Sequence, residues 1–394
     1  MIFKVIVLLT VILGTTLGAH LLLYKATVSF WGIASPLVKS ILLVGLVLLA
    51  LSFMASFFLL RMQENQFTIG FYIFAATWTG LLFNLLLAAG ACWLLISIIR
   101  ITGHHPNTRW IAAVGLLLAV IYTAFGIWNA LHPRVKDITV TLKGLPHQWQ
   151  NKTIVQLSDI HLGHVHGQRF LDGIIDKVNT IQPEIILITG DLFDGMDASF
   201  YDLAKPLDKL SAPQGVYFVT GNHETYVGLK RALHVLSQTK IRVLNNEVIN
   251  IDGLEIIGVG YPGIRDKGDI RGLEHLEQSS SNPAPRILLF HTPTSIRLKD
   301  EDEFGQHFTT YWIPDTSFKL PRELGVDLQL SGHSHAGQIV PFGLLTRLIY
   351  KGYDYGLRRE GDFSIYTTSG IGTWGPPMRT GNSPEIVAIR LILP

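Results

Sequence analysis

The sequence predicts an α/β sandwich of mixed sheets preceded by an N-terminal bundle of four membrane-spanning helices. Three observations predict it. Long apolar segments crowd the first 131 residues. From about His132, strand-length apolar runs first alternate with helical periods and then follow one another directly, the pattern of stacked mixed sheets with helices outside. Five of those runs stop abruptly in Asp, Asn or His, and ligands of open α/β sheets bind beyond the carboxyl ends of strands. The expected division is a transmembrane region over 1–131, a linker with a first strand over 132–151, and a ligand-bearing domain over 152–394.

Hydrophobic residues make up 48% of the chain and charged residues 16%, a balance that leans toward membrane proteins. The charge is unevenly spread. Residues 1–131 hold six Lys or Arg and one acid, Glu64, leaving 26 basic and 29 acidic residues beyond them. A net charge of +2 gives no case for a nucleic-acid partner. One cysteine, Cys92, excludes an intrachain disulfide and a multi-cysteine zinc site; in an apolar segment it reads as packing.

Four apolar segments, Val5–Tyr24, Ile41–Leu60, Phe67–Ile99 and Trp110–Leu131, each have the roughly 20 residues a helix needs to cross the hydrocarbon core. The third is longer than a straight crossing requires and has room to tilt or project. Asn84, its one strongly polar side chain, is expected to hydrogen-bond between helices. Trp31, Trp78, Trp93, Trp110 and Trp128 read as interfacial anchors. Lys4 before the first run resembles a signal peptide, but no clear cleavage site follows, so a retained helix is expected. Four crossings put the N-terminus and the C-terminal part on one side. Flanking charges balance, and an N-inside default favours the cytoplasm, with the chain in a bacterial inner membrane. Without the paired acids and bases of an ion pathway, this region reads as an anchor rather than a transporter.

His132-Pro133 ends the last segment. Strands are expected at Val135–Leu142, Lys152–Leu157, Glu184–Thr189 and Gly215–Thr220, interleaved with helices at Arg169–Ile181, Phe200–Leu210 and Leu229–Gln238. Strands then succeed one another at Ile241–Leu244, Val248–Ile251 and Leu254–Val259, with Asp252-Gly253 as a hairpin turn. Arg286–Phe290, Asp327–Leu330, Phe363–Thr368 and Glu385–Leu391 complete the set. Asp300–Phe318, acidic and then aromatic without a clean period, reads as a loop over the site, against the membrane, or as a plain insertion.

The strand ends carry the chemistry. VQLSDIH supplies Asp159 and His161; ILITGDLFD supplies Asp191; YFVTGNHE supplies Asn222 and His223; ILLFH supplies His291; LQLSGHSH supplies His333 and His335. Glycines before Asp191, Asn222 and His333 allow a sharp turn and close backbone approach where the chain leaves the strand. Each signal alone is weak, since Gly-Asp and Gly-Asn are ordinary turn dipeptides. Agreement of order, residue type and placement at five separate sites is not.

The series DxH, GDxxD, GNHE, a lone His and GHSH resembles the calcineurin-like metallophosphoesterase superfamily from Lys152 to the C-terminus. Leu324–Ile339 and Thr367–Ile386 are similar to its membrane-associated bacterial branch. The resemblance implies a four-layer α-β-β-α sandwich and two divalent metal ions. Asp159, His161, Asp191 and His335 would hold one ion. Asp191, Asn222, His291 and His333 would hold the other, with Asp191 bridging. His223 would be catalytic, facing the phosphate without ligating. Ala336, Glu224 and Trp374 depart from the common pattern at peripheral positions.

The expected activity is hydrolysis of a phosphodiester or phosphomonoester by a hydroxide bridging the two ions, with Mn²⁺ first and Fe or Zn²⁺ as alternatives for this mixed donor set. Membrane anchoring suggests a lipid-linked substrate and contact with membrane lipids. A tethered phosphatase or nucleotide phosphodiesterase acting on soluble substrates is the second reading, and a metal-binding membrane sensor without turnover the third. Of the remaining polar residues, His164 and His166 read as a solvated loop or substrate contacts. Asp194 is expected to order the loop after Asp191 through backbone hydrogen bonds, and Arg379 to lie on the surface or meet an anionic substrate.

Overall fold

The computed structural model describes residues 2–195, 200–263, 284–296 and 313–394. It divides into a helical unit, Met1–Trp128 with Gly375–Thr380, and a sandwich unit, Asn129–Trp374 with Gly381–Pro394.

The helical unit contains α1 (Ile2–Trp31), α2 (Pro36–Met62), α3 (Gln66–Ile101) and α4 (Thr108–Ala130, its last two residues in the sandwich unit). All four are long and apolar enough to cross a membrane. Their ends follow local chemistry. Pro36 opens α2 behind Ser35, and α3 starts in a capping box. There the Asn65 side chain accepts from Thr68 N at 3.1 Å, and Thr68 Oγ1 accepts from Asn65 N at 3.0 Å, satisfying amides that the helix leaves open. Leu48, Phe58 and Leu94 stand more than 60% exposed, as suits side chains whose solvent is lipid. Asn84 Nδ2 donates to Thr123 Oγ1 at 2.8 Å, the interhelical bond expected of it. Trp78 lies away from the ends of its helix. It sits inside α3 and donates from Nε1 to His20 Nε2 at 2.9 Å, because an indole N–H in apolar surroundings needs an acceptor.

The sandwich unit holds two six-stranded sheets among the described residues. In chain order the strands are β1 (Arg134–Thr141), β2 (Thr153–Leu157), β3 (Ile185–Ile188), β4 (Val216–Phe218), β5 (Arg242–Val243), β6 (Glu247–Ile251), β7 (Leu254–Gly258), β8 (Arg286–Leu289), β9 (Leu328–Ser331), β10 (Gly356–Glu360), β11 (Phe363–Thr367) and β12 (Glu385–Ile392). One sheet has the order β1-β12-β2-β3-β4-β5 and the other β10-β11-β9-β8-β7-β6. The helices around them are α5 (Gln168–Ile181), α6 (Phe200–Ala204), α7 (Asn222–Tyr226), α8 (Leu229–Leu236), α9 (Lys319–Glu323) and α10 (Phe342–Ile349).

The period-two alternation of strands builds the layers. Ile154, Ile185 and Leu187 face Ile256, Ile287, Leu289 and Leu328 in a core between the sheets. The alternate residues Val155, Leu157, Ile186 and Ile188 pack outward under α5, α6 and α8. On the other side Ile257 and Leu288 pack with Leu320 and Leu324 around α9. This is the expected four-layer arrangement. Asp252 and Gly253 both take positive φ, 48° and 81°, as a two-residue hairpin of this kind requires, and they join antiparallel β6 and β7.

Three differences from the sequence reading have local causes. The helix expected over Phe200–Leu210 ends at Ala204 and continues as a 3₁₀ turn, Lys205–Lys209; Pro206 has no N–H to give the α-helical ladder. Strand β10 was missed because its sequence, GLRRE, is polar; it is a half-exposed edge paired only with β11. Helix α10 was missed because it lies in a short stretch between motifs and buries none of its residues.

The sheet-to-sheet core yields a direct prediction. Leu289 is fully buried there. Leu289→Ala is expected to cost about 2–5 kcal/mol, read as a lowered melting temperature of the purified protein in detergent.

Candidate metal centre

Strands β2, β3 and β4 run parallel side by side in one sheet, and β8 and β9 do so in the other. Their carboxyl ends therefore deliver five loops to one edge of the sandwich. The loops are tied to each other through backbone. Asp159 N donates to Gly190 O at 3.0 Å, His161 N to Asp191 O at 3.1 Å, Gly332 N to His291 O at 2.8 Å, and Gly372 N to Asp159 O at 2.7 Å.

Turning side chains inward two to four residues beyond a strand end needs unusual backbone. Asp159, His161, Asp191, His333 and His335 all have φ between 49° and 71°, a region that few non-glycine residues occupy and that costs strain. The glycines matter for space. A Cβ at Gly221 would strike the Asp191 carboxylate, and one at Gly332 would strike Asp159 and Ser158.

The result is a buried cluster of converging donor atoms. His335 Nε2 lies 3.3 Å from Asp159 Oδ1 and 3.0 Å from His161 Nε2. His161 Nε2 lies 4.0 Å from Asp191 Oδ2, which is itself 3.0 Å from His291 Nε2. His291 Nε2 is also 3.1 Å from Asn222 Oδ1 and 3.3 Å from His333 Nδ1. Asp191 thus stands between two groups: Asp159, His161 and His335 on one side, and His291, His333 and Asn222 on the other. Each of the sets Asp159/His161/His335 and Asp191/His291/His333 has its ligand atoms within 4.8 Å of one another. All seven side chains proposed from the sequence as ligands meet here.

The electrostatics fit a cation pair. Burial opposes the charge on Asp159 and Asp191, yet the His335, His291 and His161 imidazoles hold Asp159 well below the usual carboxylate range, and His291 and His223 do the same for Asp191. Burial pushes His161 and His333 down to about 3, helped by neighbouring imidazoles, so these two rings are neutral and offer lone pairs. Burial opposes protonation of His291 and His223, but the surrounding carboxylates, Asp191 foremost with Asp194 beside His223 and Asp159 beside His291, together outweigh it and raise both to about 9. With only its own groups acting, the chain balances two buried carboxylates by protonating two imidazoles. His161 Nδ1 is buried without a hydrogen-bond partner, and two ring nitrogens that face each other at 3.0 Å can share at most one proton. Hard carboxylates mixed with imidazole suit a first-row divalent metal.

Supporting groups set the orientation of these side chains. His291 Nδ1 lies 2.7 Å from Thr189 O, which fixes the N–H on that nitrogen and turns Nε2 to the cluster. Asp159 accepts from Ser158 Oγ at 2.6 Å and from His333 N at 3.0 and 3.1 Å. Glu224 is the supporting residue that sequence reasoning missed. Its buried carboxylate accepts from Asp191 N, Leu192 N, Phe193 N and Gly221 N at 2.7–3.2 Å, clamping the Asp191 loop to the Asn222 loop. Its place one residue after Asn222-His223, at the start of α7, was the available signal.

His223 lies at the rim, its side chain 16% exposed. Its backbone N donates to Asp191 Oδ1 at 2.8 Å and its Nδ1 lies 3.2 Å from Asp194 Oδ1. Asp194, held low at about 2 chiefly by the His223 hydrogen bond working against burial, also accepts from Gly195 N at 2.8 Å. It therefore orders the loop as expected and positions His223 as well. His161, Asp194 and His223 form a third convergent set. Two readings need correction. His166 is in no solvated loop: it is buried, stacked on Phe170, and accepts from Thr373 N at 2.9 Å. Arg379 is fully buried rather than on the surface. Of the Asp300–Phe318 stretch, residues 300–312 lie outside the described residues.

A fold of this kind with this cluster defines a metal-dependent phosphoester hydrolase, and the chain belongs to the calcineurin-like phosphoesterase family, whose family model matches residues 152–337. A metallophosphoesterase of Helicobacter pylori strain J99 is 31% identical over 71% of this chain and 70% of its own length. One from Aquifex aeolicus is 31% identical over 70% of this chain and 98% of its own length. The Danio rerio "transmembrane protein with metallophosphoesterase domain" is 29% identical over 71% of this chain and 62% of its own. With its four long apolar helices, this chain too is a membrane protein.

The clamp gives a second prediction. Glu224→Gln puts an amide NH₂ where an oxygen accepts backbone N–H groups, at about 1–3 kcal/mol per group left unsatisfied. Metal content by elemental analysis and thermal stability should both fall, whereas Glu247→Gln, remote from the loops, should change neither.

Proposed function

We propose that Asp159, His161, Asp191 and His335 hold one divalent ion, that Asp191, Asn222, His291 and His333 hold a second, and that His223 acts on the phosphate. The convergence of two strand-end groups on Asp191 carries this reading. Mn²⁺ is the first choice, with Fe or Zn²⁺ compatible with the same donors. Ions so placed supply Lewis acidity toward phosphoryl oxygens and an acidified water.

The chain's own residues do the rest. On the first turn of α7, the backbone bond from His223 N fixes the Asp191 carboxylate, and Asn222 Oδ1 lies 3.1 Å from His291 Nε2. Asp194 aligns His223 and favours its protonated form. As the bond from water oxygen to phosphorus forms and the bond to the leaving oxygen breaks, His223 gives its proton to that oxygen. No side chain is needed as a nucleophile, so no covalent intermediate is expected. The substrate is a phosphomonoester or phosphodiester. Placement of the domain in a membrane protein favours a lipid-linked ester over a soluble nucleotide or phosphate ester. We place the catalytic domain, 152–394, on the same side as the N-terminus, cytoplasmic in a bacterial inner membrane.

Purified protein loaded with Mn²⁺ is expected to hydrolyse p-nitrophenyl phosphate or bis-p-nitrophenyl phosphate. His223→Ala should lose about 10²–10⁴-fold in turnover with metal content retained. Asn222→Ala should lose both turnover and metal. Full metal loading without hydrolysis of either ester or of a dispersed lipid phosphate would instead identify a sensor.

A further inference from the structure

Helix α10 carries an apolar face that nothing in the fold uses. Leu344, Leu345 and Leu348 are 76%, 42% and 77% exposed. At about 100° per residue they fall within one third of the helix circumference, so the exposure is a stripe and not scatter. Soluble surfaces seldom keep large apolar side chains grouped in this way.

The opposite side of the helix is firmly mounted. Thr346 Oγ1 donates to Asp354 Oδ2 at 3.2 Å, and Ser334 Oγ donates to Asp354 O at 2.5 Å. A Cβ at Gly337 would strike the Gly343 backbone, so the helix start sits directly on the turn that follows His335. The Tyr350 ring, one residue past the helix, lies 6.4 Å from the His333 ring. The exposed leucines are therefore fixed relative to the loop that carries His333 and His335.

Positive charge flanks the stripe. Arg347 lies beside it on the helix, and Lys351 follows within a turn. With Arg358, Arg359, Tyr353 and Glu360 these residues line a cleft of about 340 Å³. Arg358 Nε donates to Gly352 O at 3.0 Å, which holds the cleft's shape. Glu360 is engaged by Arg322, and Asp354 is buried beside Arg347 and Arg358. Among the described residues, Arg347, Lys351, Arg358 and Arg359 form no ion pair. An apolar stripe rimmed by cations is the pattern of a helix that lies in the interface of an anionic bilayer.

We propose that α10 is such an interfacial helix: Leu344, Leu345 and Leu348 enter the acyl boundary of an anionic leaflet while Arg347, Lys351, Arg358 and Arg359 meet lipid phosphates. The charge of the cleft selects this occupant over a second copy of the chain, which would bring the same cations together. Four apolar helices in the same chain keep lipid at high local concentration. The contact sets where the sandwich unit meets the membrane, and it does not depend on which ester is hydrolysed.

Full-length protein with Cys92→Ala, and with a nitroxide on Leu344→Cys, Leu348→Cys or the exposed control Lys240→Cys, tests this in nanodiscs. Power-saturation EPR reports oxygen against aqueous nickel-chelate access. In phosphatidylglycerol discs the 344 and 348 labels are expected about 5–10 Å below the headgroups, with the control fully aqueous. In phosphatidylcholine discs, or with Arg347→Glu and Arg358→Glu, both labels should shift toward water. Monodisperse elution and an unchanged melting temperature establish that each variant is folded. Labels at 344 and 348 as open to the chelate as the control would overturn the proposal. So would protection from both probes, the sign of a protein cover, or depths indifferent to lipid charge.

Discussion

Two buried carboxylates held ionised within one cluster are the constraint on which the rest of the site depends. Asp159 and Asp191 are fully buried, and an isolated charge in that position is prohibitively costly. The fold meets the cost by surrounding them with five imidazoles, His161, His223, His291, His333 and His335, and with backbone amides. Two of those rings are neutral and two take up protons, so the positive charge needed is supplied locally. Divalent ions would supply the same charge at the same place, releasing protons as they bind. The cluster is thus the electrostatic complement of a cation pair.

Precision at the cluster comes from placing every ligand two to four residues beyond a strand end. Strands in two sheets are held by the core between them, and the loops inherit that rigidity through backbone bonds between the Asp159 and Asp191 loops and between the His291 and His333 loops, with Glu224 and Asp191 side chains tying in the Asn222 loop. The strained φ values at Asp159, His161, Asp191, His333 and His335 persist because the surroundings over-determine them. Glu224 shows how economical the support is, since one carboxylate serves four backbone donors from two loops. Its extra methylene relative to aspartate is what spans from α7 to the Asp191 turn.

Much of this was legible in the sequence because the determining forces are local. Apolar runs bounded by glycine and polar residues marked β2, β3, β4, β8 and β9, and the Asp, Asn and His residues at their ends named the cluster. The hairpin at Asp252-Gly253 and the bond from Asn84 followed from single-residue chemistry. What stayed hidden depends on tertiary partners. His166 looks like loop polarity until Thr373, 207 residues away, is seen bonded to it. Arg379 looks like surface until its burial is known. Trp78 finds His20 across 58 residues. Helix α10 buries none of its residues, so its apolar stripe has no core partner to announce it.

The central claim is that these strand ends hold a pair of metal ions around Asp191, and anomalous diffraction from crystals grown with Mn²⁺ tests it most directly. The account predicts two anomalous peaks flanking the Asp191 carboxylate, one beside Asp159, His161 and His335 and the other beside Asn222, His291 and His333. A single peak among His161, Asp194 and His223, or no peak within reach of Asp191, would contradict it.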